Sequence, residues 1–126
     1  MRLLLDTHAL IWWVEDSPQL SEAARAAIAD NQVLVSAASA WEVATKFRLG
    51  KLPSAERMAR AFAAEVAAEG FEPFPVTLDH AAFAGGLDIP HKDPFDRLLV
   101  AQARMESIPL VSNERLFDDF GVERIW

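Results

Sequence analysis

The 126-residue chain reads as an α/β domain in three layers (α/β/α), with helices on both faces of a mostly parallel sheet of about five strands. Three observations carry that reading. Short apolar runs of strand length recur along the chain, helical patterns separate them, and no repeat or Gly/Ser- or Pro-rich linker interrupts the alternation. Strands joined through helices pair in parallel, and the helices then cover both faces of the sheet. The length suits a single domain over residues 1–126, large enough for a substantial core.

Each element has its own signal. "RLLLD" (2–6) is a buried strand ending in Asp6, and "HALIWW" continues with helical spacing. Ser21 opens an alanine-rich helix, and "QVLVS" (32–36) is the second strand. "SAWE" has the form of a capping box, with Ser39 as N-cap and Glu42 at the third helical position. Ser54 is expected to cap the next helix, with Glu56 in its first turn and Gly70 as its stop. "FPV" (74–76) is the third strand, followed by a short helix in "TLDHAAFAGGLD" (77–88) weakened by paired glycines. In "PHKDPFDRLLVAQA" (90–103), Asp93 suits the N-cap, Pro94 the first helical position and Asp96 the third, where the helix dipole favours an anion. "IPLVS" (108–112) and the closing "VERIW" complete the sheet.

Composition excludes several classes. At 52% hydrophobic and 25% charged residues, the chain is not a disordered one. The absence of cysteine excludes disulfide scaffolds and thiolate metal sites and fits a reducing compartment. The opening "MRLLLDTHALIWWVED" carries Asp6 inside its apolar run and lacks a small-residue cleavage site. It therefore reads as neither signal peptide nor membrane span, and the cytoplasm is the expected location. Twelve basic against 19 acidic residues give a net charge of −7, which argues against binding nucleic acid by broad phosphate neutralisation. A nucleic-acid substrate would need cations or a local patch to offset that field. Phosphate-cradling glycine loops and a G-x-S-x-G nucleophile elbow are both absent.

The acids are the remaining signal. Asp6 ends the first strand, Glu42 lies on the helix after the second, Asp93 and Asp96 begin a helix, and Glu114 follows the fourth strand. Ligand crevices in such sheets lie outside the carboxyl ends of the strands, where four of these five acids are expected to gather. Glu42, Asp93, Asp96 and Glu114 each have a capping or helix-dipole explanation. Asp6 resists one better, because it ends an apolar run where a carboxylate is costly to bury, with an ordinary cap for "HALIWW" as the alternative. Several carboxylates in one crevice repel each other unless a cation is present, and oxygen ligands suit hard divalent ions. Trp12, Trp13 and Trp41 are expected in the core or a dimer interface, and His8 and His80 as packed or hydrogen-bonded residues. His91 is expected in a solvated loop. Lys46, Lys51, Lys92 and Arg97 are expected as solvated or structural residues with phosphate within their chemistry, Arg97 with Asp93 as an alternative partner.

The stretches "LLLDTHALIWW", "VSAASAWEVATKFRLGKL", "HKDPFDRLLVAQA" and "LVSNERLF" resemble, in order and spacing, the PIN-domain ribonucleases, especially the VapC-like toxins of toxin–antitoxin modules. The likeness runs through essentially the whole chain. It implies a magnesium- or manganese-dependent endoribonuclease acting on RNA, restrained by a cognate antitoxin and expected as a homodimer. It places the family's first aspartate on Asp6, its glutamate on Glu42, its helix-start aspartate on Asp96, and an additional subgroup aspartate on Asp93. The fourth acid, usually aspartate in "T-x-D", falls on Glu114 within "SNE", with Ser112 in place of threonine. The implied catalytic set is Asp6, Glu42, Asp96 and Glu114, and the implied metal set is Asp6, Asp93, Asp96 and Glu114. Thr7, Ser112, Asn113, Arg97 and Lys92 are the candidate substrate contacts. Two other classes compete. A phosphoryl-accepting signalling domain would need an early acid pair and a late lysine, which "LLLDTH" and the region after Lys92 lack. A catalytically silent partner-binding module would keep the pocket without the chemistry, and Glu114 is the residue that favours it.

Overall fold

The computed structural model describes residues 1–126. From the amino terminus run β1 (Arg2–Leu5), α1 (Thr7–Val14), α2 (Glu22–Asp30), β2 (Gln32–Ser36) and α3 (Ala37–Arg48). A 3-10 turn (Pro53–Ala55) leads into α4 (Glu56–Arg60), α5 (Phe62–Ala68), β3 (Glu72–Phe74) and α6 (Leu78–Gly86). The chain closes with α7 (Pro94–Glu106), β4 (Leu110–Val111), a 3-10 turn (Arg115–Phe120) and β5 (Arg124–Ile125). All pairings are parallel and the strand order is β3-β2-β1-β4-β5.

Side-chain alternation along the strands makes the three layers. Leu3, Leu5, Val33 and Val35 point to one face, where they join Leu10, Ile28, Val43 and Val66. Leu4, Leu34 and Leu110 point to the other, against Leu99, Val100 and Phe117. Burying each such side chain stabilises the fold by roughly 1.5–3 kcal/mol, so neither face is left to water. No helix is long and apolar enough to cross a membrane.

Helix starts are set by the caps the residues offer. Ser21 accepts from the Ala24 amide to open α2, and Asp93 accepts from the amides of Phe95 (2.9 Å) and Asp96 (3.1 Å) with Pro94 at the first helical position. Thr77 opens α6 with a reciprocal box, in which its hydroxyl accepts from the His80 amide and its own amide donates to His80 Nδ1. Other expectations fail locally. Ser39 is not a cap: Ser36 is, accepting from the Ala38 amide, so Ser39 and Glu42 lie inside α3. Strand β2 runs straight into the helix, and the extended residue at the junction takes the capping role.

Ser54 caps nothing either. The helix expected after it breaks at Ala61 into α4 and α5, neither with a side-chain cap. Met58 and Val66 both pack in one core, yet on a continuous helix they would sit about 80° apart. The break turns both inward. The third strand starts earlier than "FPV" and ends before Pro75, which cannot donate to a ladder. Pro73 is tolerated because β3 is an edge strand.

Candidate active site

The strand order reverses direction between β1 and β4, since β2 and β3 lie on one side of β1 and β4 and β5 on the other. Open parallel sheets form their ligand crevice at such a switch point, beyond the carboxyl ends of the strands. Asp6 occupies that position. Its amide donates to the Val111 carbonyl at 2.9 Å, which fixes it at the β1–β4 seam. Its Oδ1 accepts from the Thr7 amide and its Oδ2 from the Ser112 hydroxyl, each at 2.7 Å. Asp6 is 3% exposed, and burial pushes its carboxyl up to about 6. The Ser112 bond, His8 and the Thr7 amide pull downward without cancelling that effect, and Glu42 adds to the rise.

Glu42 comes from α3 and is also buried, at 3% exposure. Its Oε2 accepts from Lys46 Nζ at 2.5 Å, one helical turn away, while its Oε1 is buried without any partner. Asp96 enters from the first turn of α7. Its Oδ2 meets His91 Nε2 at 2.7 Å, and burial raises its carboxyl to about 6. The His91 bond opposes the rise, and Asp93, Asp6 and Glu42 reinforce it. Lys46 stays charged more firmly than an ordinary lysine. Burial opposes its charge, but the Glu42 bond and the fields of Glu42, Asp93 and Asp96 outweigh that. Asp6, Glu42, Asp93 and Asp96 therefore share one electrostatic pocket.

The other expected site residues divide. Thr7 and Ser112 are fully buried. The Thr7 hydroxyl donates to Ser39 at 2.9 Å, and Ser112 also accepts from the Glu114 amide at 3.0 Å. Both brace Asp6 from within, so neither offers a free surface to substrate. The Glu114 carboxylate is half-buried and makes no hydrogen bond or ion pair, while its backbone is tied through Ser112 to Asp6. Asn113 and Lys92 are exposed. Arg97 is a correction. Its guanidinium donates to the carbonyls of Ala84, Gly85, Leu87, Ile89 and His91, at 2.6 to 3.4 Å, leaving it tied to the backbone rather than to phosphate or Asp93. His91 is a further correction, being engaged by Asp96 rather than solvated.

Two functional features lay outside the sequence reading. Lys46 was expected as a solvated or structural residue, and its pairing with Glu42 was not read although the i,i+4 spacing was available as a signal. Gln102 is fully buried and links three elements. It accepts from the Ser36 hydroxyl (2.6 Å), the cap of α3, and donates to the Pro75 carbonyl (3.1 Å). The tryptophans also separate. Trp12 and Trp13 pack against Trp126 and Phe71 as expected, but Trp41 is 53% exposed, with its ring edge-on to Phe95 at 4.5 Å.

The donor set fits a hard divalent ion. All the acidic donors are oxygens, two carboxyls are raised by burial and mutual repulsion, and one buried carboxylate oxygen is unpartnered. No three His, Asp or Glu side chains stand close enough to form a ready ligand shell.

These features define an open parallel α/β domain with an acidic pocket at its topological switch point. Residues 3–123 match the PIN domain, and the chain belongs to the PIN domain family. No curated protein matches the sequence. Among solved structures, it resembles VapC20 of Mycobacterium tuberculosis, a sarcin-ricin loop cleaving toxin, with a TM-score of 0.71 and 19% identity over 95% of each chain. It also resembles the DNA-bound VapBC of Salmonella typhimurium (TM-score 0.70, 18% identity, 98% of this chain and 96% of that one). A third is the DNA-bound VapBC2 of Rickettsia felis (TM-score 0.63, 14% identity, 100% of both chains).

Proposed function

We propose that the chain is a metal-dependent endoribonuclease that hydrolyses RNA phosphodiester bonds and serves as the toxin of a toxin–antitoxin pair, as a homodimer in the cytoplasm. The observation that carries the chemistry is the buried, unpartnered Oε1 of Glu42, beside two carboxyls that burial and repulsion hold near 6. A fold does not keep such a group for stability, because an unsatisfied buried acceptor costs about 1–3 kcal/mol. Perturbed carboxyls in a crevice are the signature of a site that moves protons or holds cations.

Magnesium or manganese, held by Asp6 and Asp96 with Asp93 and Glu114 nearby, would supply Lewis-acid stabilisation of the charge developing on the phosphate. The residues of the chain account for the rest. Thr7 and Ser112 lock the Asp6 carboxylate in one orientation through its two oxygens. His91 holds Asp96 at one oxygen, Oδ2. Glu42 accepts a hydrogen bond from the attacking water at Oε1 and takes its proton as the water oxygen bonds to phosphorus and the P–O bond to the departing nucleotide breaks. Asn113 and Lys92, both exposed, are the contacts for the RNA backbone.

The toxin reading is supported by the neighbours, which include toxin–antitoxin complexes. An acidic pocket in a chain of net charge −7 is most simply closed by a basic side chain of the antitoxin, and the apolar part of that segment has a groove to occupy. A cavity of about 450 Å³ lies beside the start of α3, lined by Val35, Ala40, Phe62, Val66, Phe74 and Pro75. Incubation of the purified protein with total RNA and magnesium or manganese tests the activity. Defined new RNA ends that vanish on chelation and with Asp96→Asn are expected. Intact RNA under all metal conditions would leave a silent partner-binding module as the function.

A further inference from the structure

Asp6, Glu42 and Asp96 each have a dedicated holder, and the holders differ in kind. Asp6 is fixed at both oxygens by an amide and a hydroxyl, and Asp96 by an imidazole. Glu42 has neither amide nor hydroxyl. The hydroxyls of Thr7 and Ser39 bond each other, and the only group on Glu42 is the ammonium of Lys46 at 2.5 Å. Lys46 is also the only lysine or arginine that forms an ion pair with any of the pocket acids.

We infer that Lys46 is a positioning residue for the hydrolysis: it pins one oxygen of Glu42 so that the other, buried and unpartnered, is kept as the acceptor for the attacking water. This deepens the ribonuclease reading and rests on it. Glu42 sits on a helix, where its side chain has three rotatable bonds and no other polar anchor. A charge-assisted bond from the next turn of the same helix selects one rotamer, and the i,i+4 spacing makes the pair local. Lys46 is 27% exposed at the side chain against 5% for Glu42, so the pair reaches from solvent into the pocket with its charged end inside. The fields of Asp93 and Asp96 favour the charged form of the ammonium. Without it, a buried carboxylate would have no partner at either oxygen and would turn toward whatever donor is nearest.

The test is a steady-state comparison of Lys46→Met, Lys46→Arg and Glu42→Gln, with the double variant, on an RNA the parent cleaves. Lys46→Met is expected to lower kcat on the order of tenfold to a hundredfold with KM within about twofold, the scale of a misplaced catalytic group. Lys46→Arg restores most of the loss, because it keeps the charge and donors. On the Glu42→Gln background, Lys46→Met changes the residual rate by less than about twofold, since there is no carboxylate left to position. Should Lys46→Met not fold by thermal melt, Lys46→Gln takes its place in every comparison. A rise in KM with kcat kept and a shallower salt dependence would assign Lys46 to an RNA phosphate and overturn the inference. So would full additivity with Glu42→Gln. A parent protein that cleaves no RNA with either metal removes the ribonuclease reading first, and the role of Lys46 with it.

Discussion

Replacing Asp6 by asparagine should make the metal-free protein more stable while destroying its chemistry. The Asp6 carboxyl rises from its ordinary 3.8 to about 6, chiefly through burial. At roughly 1.4 kcal/mol per tenfold change in proton affinity, its ionised form costs the fold about 3 kcal/mol. The sign follows from proton binding. Between about 3.8 and 6 the folded state binds more protons than the unfolded one, so stability falls as pH rises through that window and stays low above it. Asparagine removes the charge, keeps an acceptor for the Thr7 amide and gives up the charge-assisted bond from Ser112, a loss of about 1 kcal/mol. The net gain at pH 7.5 is about 2 kcal/mol, or roughly 6 °C in Tm for a domain of this size. At pH 4 the gain disappears, since Asp6 is protonated in the parent. Thermal melts of parent and Asp6→Asn in chelator, at pH 7.5 and pH 4, measure both values. A variant no more stable than the parent at pH 7.5, or equally stabilised at both pH values, would refute the account of Asp6 as a strained, ionised carboxylate. Magnesium or manganese should raise the parent's Tm at pH 7.5 and leave Asp6→Asn almost unchanged.

Glu42→Gln should melt like the parent or slightly higher and lose at least about a hundredfold in kcat, the scale of a lost general base; near-parental cleavage would return Glu42 to a structural role. Gln102→Leu should lower stability by about 2 kcal/mol, because the Ser36 hydroxyl and the Pro75 carbonyl lose their buried partners; a denaturant midpoint equal to the parent's would contradict that. Arg97→Lys should cost about 2 kcal/mol, since a lysine cannot reach five carbonyls at once, while KM for RNA in the folded protein stays the same. Antitoxin affinity should weaken as magnesium is raised, because a basic plug and the cation compete for one acidic pocket; calorimetric affinity that ignores magnesium would place inhibition outside it.

Local signals were legible because their physics spans a few residues. Ser21 and the Asp93–Pro94–Asp96 start opened their helices as read, since a cap needs only an acceptor and an amide two or three positions away. Strands β1 and β2 were legible because they are apolar on both faces, as a central parallel strand must be. That alternation also implied the sheet, and at its carboxyl edge Asp6, Glu42 and Asp96 lie within each other's electrostatic reach. What the tertiary structure alone decided lies at longer range. Whether Ser36 or Ser39 caps α3 depends on where β2 stops pairing with its neighbours, and the capping-box pattern cannot contain that. The two bonds that organise the pocket join Asp6 to Ser112, 106 residues apart, and Ser36 to Gln102, 66 apart. Arg97 carries the same charge in any sequence reading; the loop of carbonyls that folds around it fixes its role. The elevated carboxyls and the orphaned Glu42 oxygen have the same origin: desolvation is a property of the assembled core, and it exists only once both sheet faces are covered.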